Sequence, residues 1–359
     1  MLIDIELVFI IACFIFFFSK KNKTACPNSV DATEFGSLIS KETSSFFKAL
    51  CCVVIVLHHF ALRCENGWLV TRFFAIGGGS FSLPIFFILS SYGITKSELK
   101  NGTNLISFIK KRFLKILIPF WIINFITVLT YGLISPKDLL LEGLAVHRIN
   151  PNFVLVGSAP IMERIKMCIG LIEIDGAMWF VYVILISYAA FFISKSIFSI
   201  KKTPKKFLSL YTLIIVLSGV CFYVLDFPAH YWRNLWSLVL GCVLVSYDLT
   251  QNKKSYLLIL IMANCYFLIY MALTHDVSYV FFANVALILL LVANIMFKKG
   301  VKYNKAIVVL SASSYWVYLI HIKVLTLEWF VWGYNDVILP LIAIIAISIF
   351  FSKTIKIGQ

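Results

Sequence analysis

Long apolar runs separated by short, lysine-rich polar segments dominate the pattern of this chain. A run of about 17 to 25 apolar residues is long enough to cross the hydrocarbon core of a bilayer as an α-helix. Such runs lie at residues 2–18, 46–63, 74–95, 113–134, 177–194, 207–225, 234–249, 256–273, 279–297, 306–327 and 337–352. The pattern predicts an all-α fold: a polytopic transmembrane helical bundle, with a ten-helix core plus one extra N-terminal transmembrane helix.

The order of the runs predicts three parts: an N-terminal anchor helix with a cytoplasmic linker at 1–45, a transmembrane domain at 46–352, and a cytoplasmic tail at 353–359. Lysines follow the run 2–18 directly, so the positive-inside rule places the N-terminus outside. A signal peptide would carry its charge before the apolar stretch and a cleavage pattern after it. The segment 135–176 has no spanning run and is expected to fold over the outer mouth.

Composition and charge support a membrane protein. Hydrophobic residues make up 61% of the chain and charged residues 14%, whereas a soluble domain has about a quarter charged residues. The 32 lysines and arginines exceed the 17 acidic residues and give a net charge of +15. Most of these cations fall in alternate loops, which predicts contact with membrane lipid and not with nucleic acid. We expect a multi-pass protein of the cell inner or plasma membrane with a cytoplasmic C-terminus and leave the oligomeric state open.

The nine cysteines lie mostly inside apolar runs, so we expect no disulfide framework. Cys64 and Cys168 alone fall on the predicted outer side, which leaves one pairing open. No Cys/His cluster has metal-ligand spacing, and we expect no metal site. Gly77, Gly78 and Gly79, followed by Pro84, are typical of a thinned or kinked helix end.

The run 46–63 contains two histidines, although a membrane span penalises ionisable groups and retains them mainly for function. At about 100° per residue, Lys48 and His59 lie on one helical face, about 16 Å apart along the axis. Cys52, Ile55 and Arg63 share this face, and His58 points about 80° away from it. His59 is therefore the candidate catalytic histidine.

A basic segment at 108–121 precedes the next apolar run. Lys111, Arg112 and Lys115 have two interpretations: cytoplasmic charges that reach lipid headgroups, or a clamp for the phosphates of a cytosolic nucleotide-like donor. Arg112 and Lys115 are three residues apart, which makes them neighbours on one face of an α-helix.

Three further runs carry polar or aromatic residues. Ser90 and Ser91 lie among small residues that either permit close helix packing or leave room for a narrow ligand. Trp179 lies beside other aromatic residues, where a membrane-interface belt is the simpler interpretation. In a late run, one helical face carries Ser311, Ser314, Tyr315, Tyr318 and His321. This stripe indicates either packing inside the bundle or the lining of a cavity.

In their order along the chain, these segments resemble the acyltransferase family 3 of integral membrane enzymes. The family's first core helix has an arginine and, eleven positions later, a histidine, which corresponds to Lys48 and His59. The pattern continues with FFILSSYGI at 86–94, KRFLKILIP at 111–119, MWF at 178–180 and SYWVYLIH at 314–321. Three positions depart from it: Lys48 and Lys115 replace arginines and so lose the bidentate fork, and Ser91 replaces a glycine.

The resemblance implies transfer of an acyl group, most commonly acetyl from acetyl-CoA, to a hydroxyl of a cell-envelope glycan such as a surface polysaccharide. It assigns catalytic roles to His59, Lys48 and His321, with His59 as general base, since imidazole titrates near working pH. The donor would bind at Lys111, Arg112, Lys115, Ser90 and Ser91, and the acceptor at Trp179, Tyr315 and Tyr318. Direct transfer and a transient acyl-histidine relay both remain open.

A transporter or flippase for lipid-linked glycans, or a glycan polymerase, is the alternative. Buried histidines and cations would then line a proton or substrate pathway. An acyltransferase consumes a thioester donor and a flippase does not, so donor consumption separates the two classes.

Overall fold

The computed structural model describes residues 4–8, 39–64, 69–133, 159–171, 178–246, 268–272, 274–298, 305–332 and 336–355, together with Ile10 and Cys265. Every regular element within these residues is helical. The principal helices are α1 (Lys41–Ala61), α2 (Leu69–Asn101), α3 (Leu105–Phe108), α4 (Lys115–Leu133), α5 (Ile161–Ile169), α6 (Trp179–Ile197), α7 (Pro204–Val224), α8 (Leu235–Ser246), α9 (Val277–Lys298), α10 (Lys305–Ala312), α11 (Ser314–Trp332) and α12 (Ile338–Thr354).

Local sequence explains several helix boundaries. Ser40 caps α1, because its hydroxyl accepts a hydrogen bond of 3.0 Å from the backbone N–H of Thr43. α1 therefore begins five residues before the apolar run that predicted it. Pro204 opens α7 at a position where its missing N–H costs nothing.

Five described helices or helix pairs are long and apolar enough to cross a membrane, or six if one bent pair counts as a single span. These five are α1, α2, the stretch from α3 into α4, α6 and α7. The all-α, multi-pass class is thus confirmed. The ten-helix core stays a prediction, and most of the runs 2–18 and 256–273 lies outside the described residues.

The prediction of one helical face that runs from Ser311 to His321 was wrong, because α10 and α11 meet at a 70° bend. Ser313 lies at the bend, where its hydroxyl bonds back to the carbonyl of Val309 at 3.0 Å and to the Ser352 hydroxyl at 2.9 Å. Such back-bonding by serine competes with regular helix geometry and bends helices. Ser311 therefore belongs to α10 and does not continue the polar stripe of α11.

The glycine triplet also differs from expectation, since it lies inside the uninterrupted 33-residue helix α2 and not at a helix end. α2 packs against α1, α8 and α9 and is the central helix of the described bundle.

The described part of the outer segment forms the short helix α5, which packs against α4. The Trp121 indole donates to the carbonyl of Ile169 at 3.2 Å, and the Asn124 amide donates to that of Met167 at 3.3 Å. These bonds satisfy carbonyls at the last turn of α5. The described part of the segment, residues 159–171, therefore packs against α4.

Candidate active site

The polar face of α1 lies against α11. The Cys52 thiol donates to the carbonyl of Ser314 at 3.7 Å, and the ring centroids of His59 and His321 are 4.9 Å apart. Lys48 lies at the same interface, where it shares a cavity with Ser314. The structure thus brings together the two polar stripes that the sequence placed on separate helices.

His321 is fully buried and has a defined ring orientation. Its Nδ1 lies 2.6 Å from the carbonyl oxygen of Tyr318. Because a carbonyl oxygen only accepts, Nδ1 carries the proton, and Nε2 is the basic nitrogen of the neutral ring.

His59 has different surroundings. Its ring packs at 4.9 Å from the rings of both His58 and His321. Within the described part of the chain, neither nitrogen of the His59 ring makes a hydrogen bond, so both remain available to a ligand. This is the arrangement that a group accepting a proton from a substrate requires.

His58 is bound to the neighbouring helix instead. Its Nδ1 lies 2.9 Å from the carbonyl oxygen of Phe74 on α2. A methyl group added at Gly79 would lie 2.9 Å from His58 Nε2, and one added at Gly78 would lie 2.7 Å from His58 Cβ. The glycines therefore make room for the His58 ring, which joins α1 to α2.

A cavity of about 140 Å³ lies beside Lys48. We call it the Lys48 cavity; its lining residues are Lys48, Phe86, Ser90, Ile116, Phe180, Ile184, Tyr188, Ser314, Tyr315 and Tyr318. It includes four predicted site residues from three different helices. The Tyr318 ring is 5.6 Å from that of His321, which connects the cavity to the histidine pair.

Hydroxyl groups are fixed around this cavity. The hydroxyls of Ser90 and Tyr188 lie 3.1 Å apart, and the Tyr315 hydroxyl donates to the carbonyl of Ile116 at 2.9 Å. Sequence reasoning did not single out Tyr188. The signal in the sequence was its hydroxyl group inside the apolar run 177–194, where a polar group needs a partner.

The basic segment forms a π-helix at Ile109–Leu114, directly before α4. A π-turn holds more residues than an α-turn, so the expectation that Arg112 and Lys115 are neighbours on one α-helical face was wrong. Lys111 and Lys115 are exposed, whereas Arg112 is half-buried and its charge acts on Tyr188 of the Lys48 cavity. Arg112 Nε is enclosed and has no hydrogen-bond partner among the described residues.

A buried ion pair holds the start of this segment. Lys195 Nζ lies 2.5 Å from Glu98 Oε2 and donates to the carbonyl of Thr103 at 2.7 Å. The Thr103 hydroxyl donates to Glu98 Oε1 at 2.7 Å, and the ammonium lies 5.2 Å from the centre of the Phe108 ring. α2, α3 and α6 are therefore joined at one point, immediately before the π-helix.

Ser91 and Trp179, which were predicted to bind donor and acceptor, do not line the Lys48 cavity. Ser91 is buried against α8, where a methyl group at Gly241 would collide with its hydroxyl and with the carbonyl of Ile88. Trp179 is buried and packs against His230, with ring centroids 5.0 Å apart. Its neighbour Phe180 lines the cavity instead and packs at 4.5 Å from Tyr318.

His230 was not predicted as a site residue. It lies in a short 3-10 turn, Ala229–Tyr231, in the connection between α7 and α8. Burial and the neighbouring Arg233 guanidinium lower the pKa of His230 to about 4. The ring is therefore neutral at neutral pH. Its place next to aromatic residues in an outer connection was the signal in the sequence.

A second, larger cavity of about 480 Å³ lies between α7 and α8. Its lining is almost wholly apolar and contains no histidine or cation among the described residues. Cys64 and Cys168 are free thiols. Within the described ranges, no group of three or more His, Cys, Asp or Glu side chains could hold a metal ion. The histidine pair and the Lys48 cavity are thus the best candidate site.

Comparison with known proteins assigns the chain to a family. The family model of an acyltransferase domain matches residues 45–355, which include every predicted site residue. No curated protein and no solved structure matches the chain significantly. Since the match covers most of the chain, which also carries several helices of spanning length, the protein belongs to the acyltransferase family 3 and is a membrane-bound enzyme that transfers acyl groups.

Proposed function

We propose that the protein is a membrane O-acyltransferase that moves an acetyl group from cytosolic acetyl-CoA to a hydroxyl of a cell-surface polysaccharide or related envelope glycan. The observation that carries this proposal is the contact between His59 and His321, which Tyr318 links to the Lys48 cavity: Tyr318 lines that cavity, and its ring lies 5.6 Å from that of His321.

The donor must present phosphates at one end and a thioester at the other. Arg112 is directed inward at the edge of the Lys48 cavity, where its guanidinium suits a phosphate. Lys111 and Lys115 are exposed close by and would add charge at the entrance. The cavity itself is narrow and lined by apolar side chains and hydroxyls, which suits the pantetheine arm.

His59 then acts as general base. It takes the proton of the acceptor hydroxyl while that oxygen forms a bond to the thioester carbonyl carbon. The tetrahedral intermediate collapses with cleavage of the carbon–sulfur bond, and the proton passes from His59 to the leaving CoA thiolate. His321, whose ring centroid is 4.9 Å from that of His59, orients the base. The Lys48 ammonium attracts the negative charge of the donor.

The competing flippase or polymerase would need no thioester. Purified protein in lipid nanodiscs, supplied with radiolabelled acetyl-CoA and an envelope glycan fraction, should release CoA and label the glycan. Glycan movement or extension without CoA release would support the competing class.

The histidines provide the sharpest test of the mechanism. We expect His59→Ala to lower the transfer rate by about 10²- to 10⁴-fold, the usual contribution of a general base. His58→Ala should act mainly on thermal stability, because His58 joins α1 to α2 through the carbonyl of Phe74. The matched control is His275→Asn, since His275 is exposed and its positive φ suits asparagine. A His59→Ala protein with the parent rate would refute the mechanism.

A further inference from the structure

Arg63 is a fixed cation next to the histidine pair that the proposed reaction does not use. It lies in the turn that follows α1, where its backbone N–H donates to the carbonyl of Phe60 at 3.0 Å. Arg63 is four residues from His59, about 6 Å along the helix axis. Its charge acts on the His59 ring.

No side chain in the described part of the chain neutralises Arg63. Its Nη1 is enclosed and makes no hydrogen bond to the described residues. The described N-terminal carboxylates contact other groups: Asp4 Oδ1 accepts from the backbone and hydroxyl of Thr71, and Glu6 Oε2 accepts from the backbone of Val337.

A second arginine, Arg233, also lies close enough to the histidines for its charge to act on them. Arg233 lies 3.9 Å from Asp276, and its charge acts on both His58 and His230. Each of the two neighbouring histidines of α1 therefore lies within the field of a guanidinium group, His58 that of Arg233 and His59 that of Arg63.

An enclosed guanidinium nitrogen without a hydrogen-bond partner destabilises the folded state. Such a group is retained where a ligand supplies the missing anion. The planar fork of arginine matches the two oxygens of a carboxylate or a phosphate, and the hydrogen bonds are charge-assisted.

We propose that Arg63 binds an anionic group of the acceptor, so that the acceptor is an acidic glycan. This inference rests on the proposed function and specifies its substrate class: a sugar that carries a carboxylate or phosphate on the residue that is acylated or on its neighbour. The spacing of one helical turn places that anion beside the hydroxyl at His59.

The test measures binding first, so that it does not depend on catalysis. Protein in nanodiscs is mixed with glucose, glucuronate or glucose 6-phosphate at matched ionic strength, since salt alone screens exposed charges. We expect glucuronate, glucose 6-phosphate or both to raise the thermal unfolding temperature and glucose to leave it unchanged. The two charged sugars distinguish carboxylate from phosphate as the bound group.

Arg63→Gln should abolish the shift caused by the charged sugar. Arg72→Gln is the matched control, because Arg72 is an exposed arginine at the same end of the neighbouring helix α2, and it should keep the parent shift. A shift that persists in Arg63→Gln, or equal shifts with glucose and glucuronate, would overturn the inference. If Arg63→Gln does not fold, the comparison of the three sugars with the parent protein still decides.

Transfer assays then separate this inference from the proposed function. With radiolabelled acetyl-CoA, methyl glucuronoside or methyl glucoside 6-phosphate should have a KM about 10- to 100-fold below that of methyl glucoside. Equal acetylation of all three would leave the O-acyltransferase intact and overturn the role of Arg63. Charged-sugar binding without any CoA release would contradict the transferase and retain the anion site.

Discussion

Arg112 differs from its lysine neighbours in the direction of its side chain. Lys111 and Lys115 are exposed, as expected of charges that reach lipid headgroups. Arg112 Nε is enclosed next to the Lys48 cavity, without a hydrogen-bond partner among the described residues. A cation that only marked topology would gain by facing water, so the inward orientation favours a phosphate ligand.

We therefore predict that Arg112→Gln raises the KM for acetyl-CoA by about 10- to 100-fold and leaves the KM for the acceptor unchanged, because a charge-assisted contact to phosphate is lost. Initial rates measured at varied donor and at varied acceptor concentration check this. Lys201→Gln, an exposed cation of another loop, is the control. Equal donor KM values in the parent and in Arg112→Gln would show that the basic segment does not bind the donor and only fixes the orientation in the membrane.

The helical spacing of polar residues predicted the two helix faces that form the site. Helical spacing alone placed Lys48 with His59 and Ser314 with His321, and the structure brings the two faces together. The contacts of Ser91 and Trp179 were not predictable, because they depend on Gly241 and His230, which are distant in sequence. Pattern specifies a face of a helix, and only packing decides which helix covers it.

At the level of elements, the π-helix and the bend at Ser313 escaped the sequence for the same physical reason. Both change the backbone geometry between helical segments that continue on either side, and the π-helix lies in the basic segment while the bend lies among the serines at 311–314. Spacing rules for a regular α-helix were applied across both places, so they gave no sign of either change. The bend depends on a hydrogen bond from Ser313 to Ser352 of α12, a contact between distant residues. π-segments inside helices are frequent at functional sites.

The ion pair between Lys195 and Glu98 lies before the π-helix and orients it by fixing the turn that leads into it. Lys195 also binds Thr103, so α6 fixes the turn that leads into α3 and the basic segment. Lys195→Met leaves the Glu98 carboxylate, whose side chain is only 3% exposed, without its partner. We predict a loss of about 3 kcal/mol of stability and a raised KM for acetyl-CoA.

A double variant distinguishes stability from positioning. Glu98→Gln combined with Lys195→Met removes both charges, so thermal unfolding should recover much of the loss. The donor KM should stay raised, because the turn at Thr103 has lost its anchor. If the donor KM recovers together with stability, the ion pair acts on folding alone.

On the scale of the whole molecule, contacts between segments that are distant in sequence distinguish two ends of the described bundle. At one end, Glu98 meets Lys195, and the charge of Lys115 acts on Lys48. At the other end, Asp4 binds the start of α2 at Thr71, and Glu6 binds the backbone that precedes α12. The first end carries the lysine-rich loops, which the positive-inside rule assigns to the cytoplasm.

The orientation of these two ends in the membrane determines which compartment can supply the donor. The Lys48 cavity and Arg112 belong to the lysine-rich end, and Arg63 follows the opposite end of α1. If the lysine-rich end is cytoplasmic, acetyl-CoA reaches Arg112 from the compartment where it is made. The acceptor then approaches His59 past Arg63 and Arg233 from outside.

The two ends of α7 give a matched pair of positions for testing this orientation. Lys201 precedes the helix on the lysine-rich side, Phe227 follows it, and both side chains are exposed. In intact cells, a membrane-impermeant maleimide should label Phe227→Cys above the background of the parent chain, and Lys201→Cys only after permeabilisation. Labelling of Lys201→Cys in intact cells would show that the bundle has the opposite orientation in the membrane. Arg112 would then face a compartment without acetyl-CoA, and the donor proposed for this enzyme would have to be replaced.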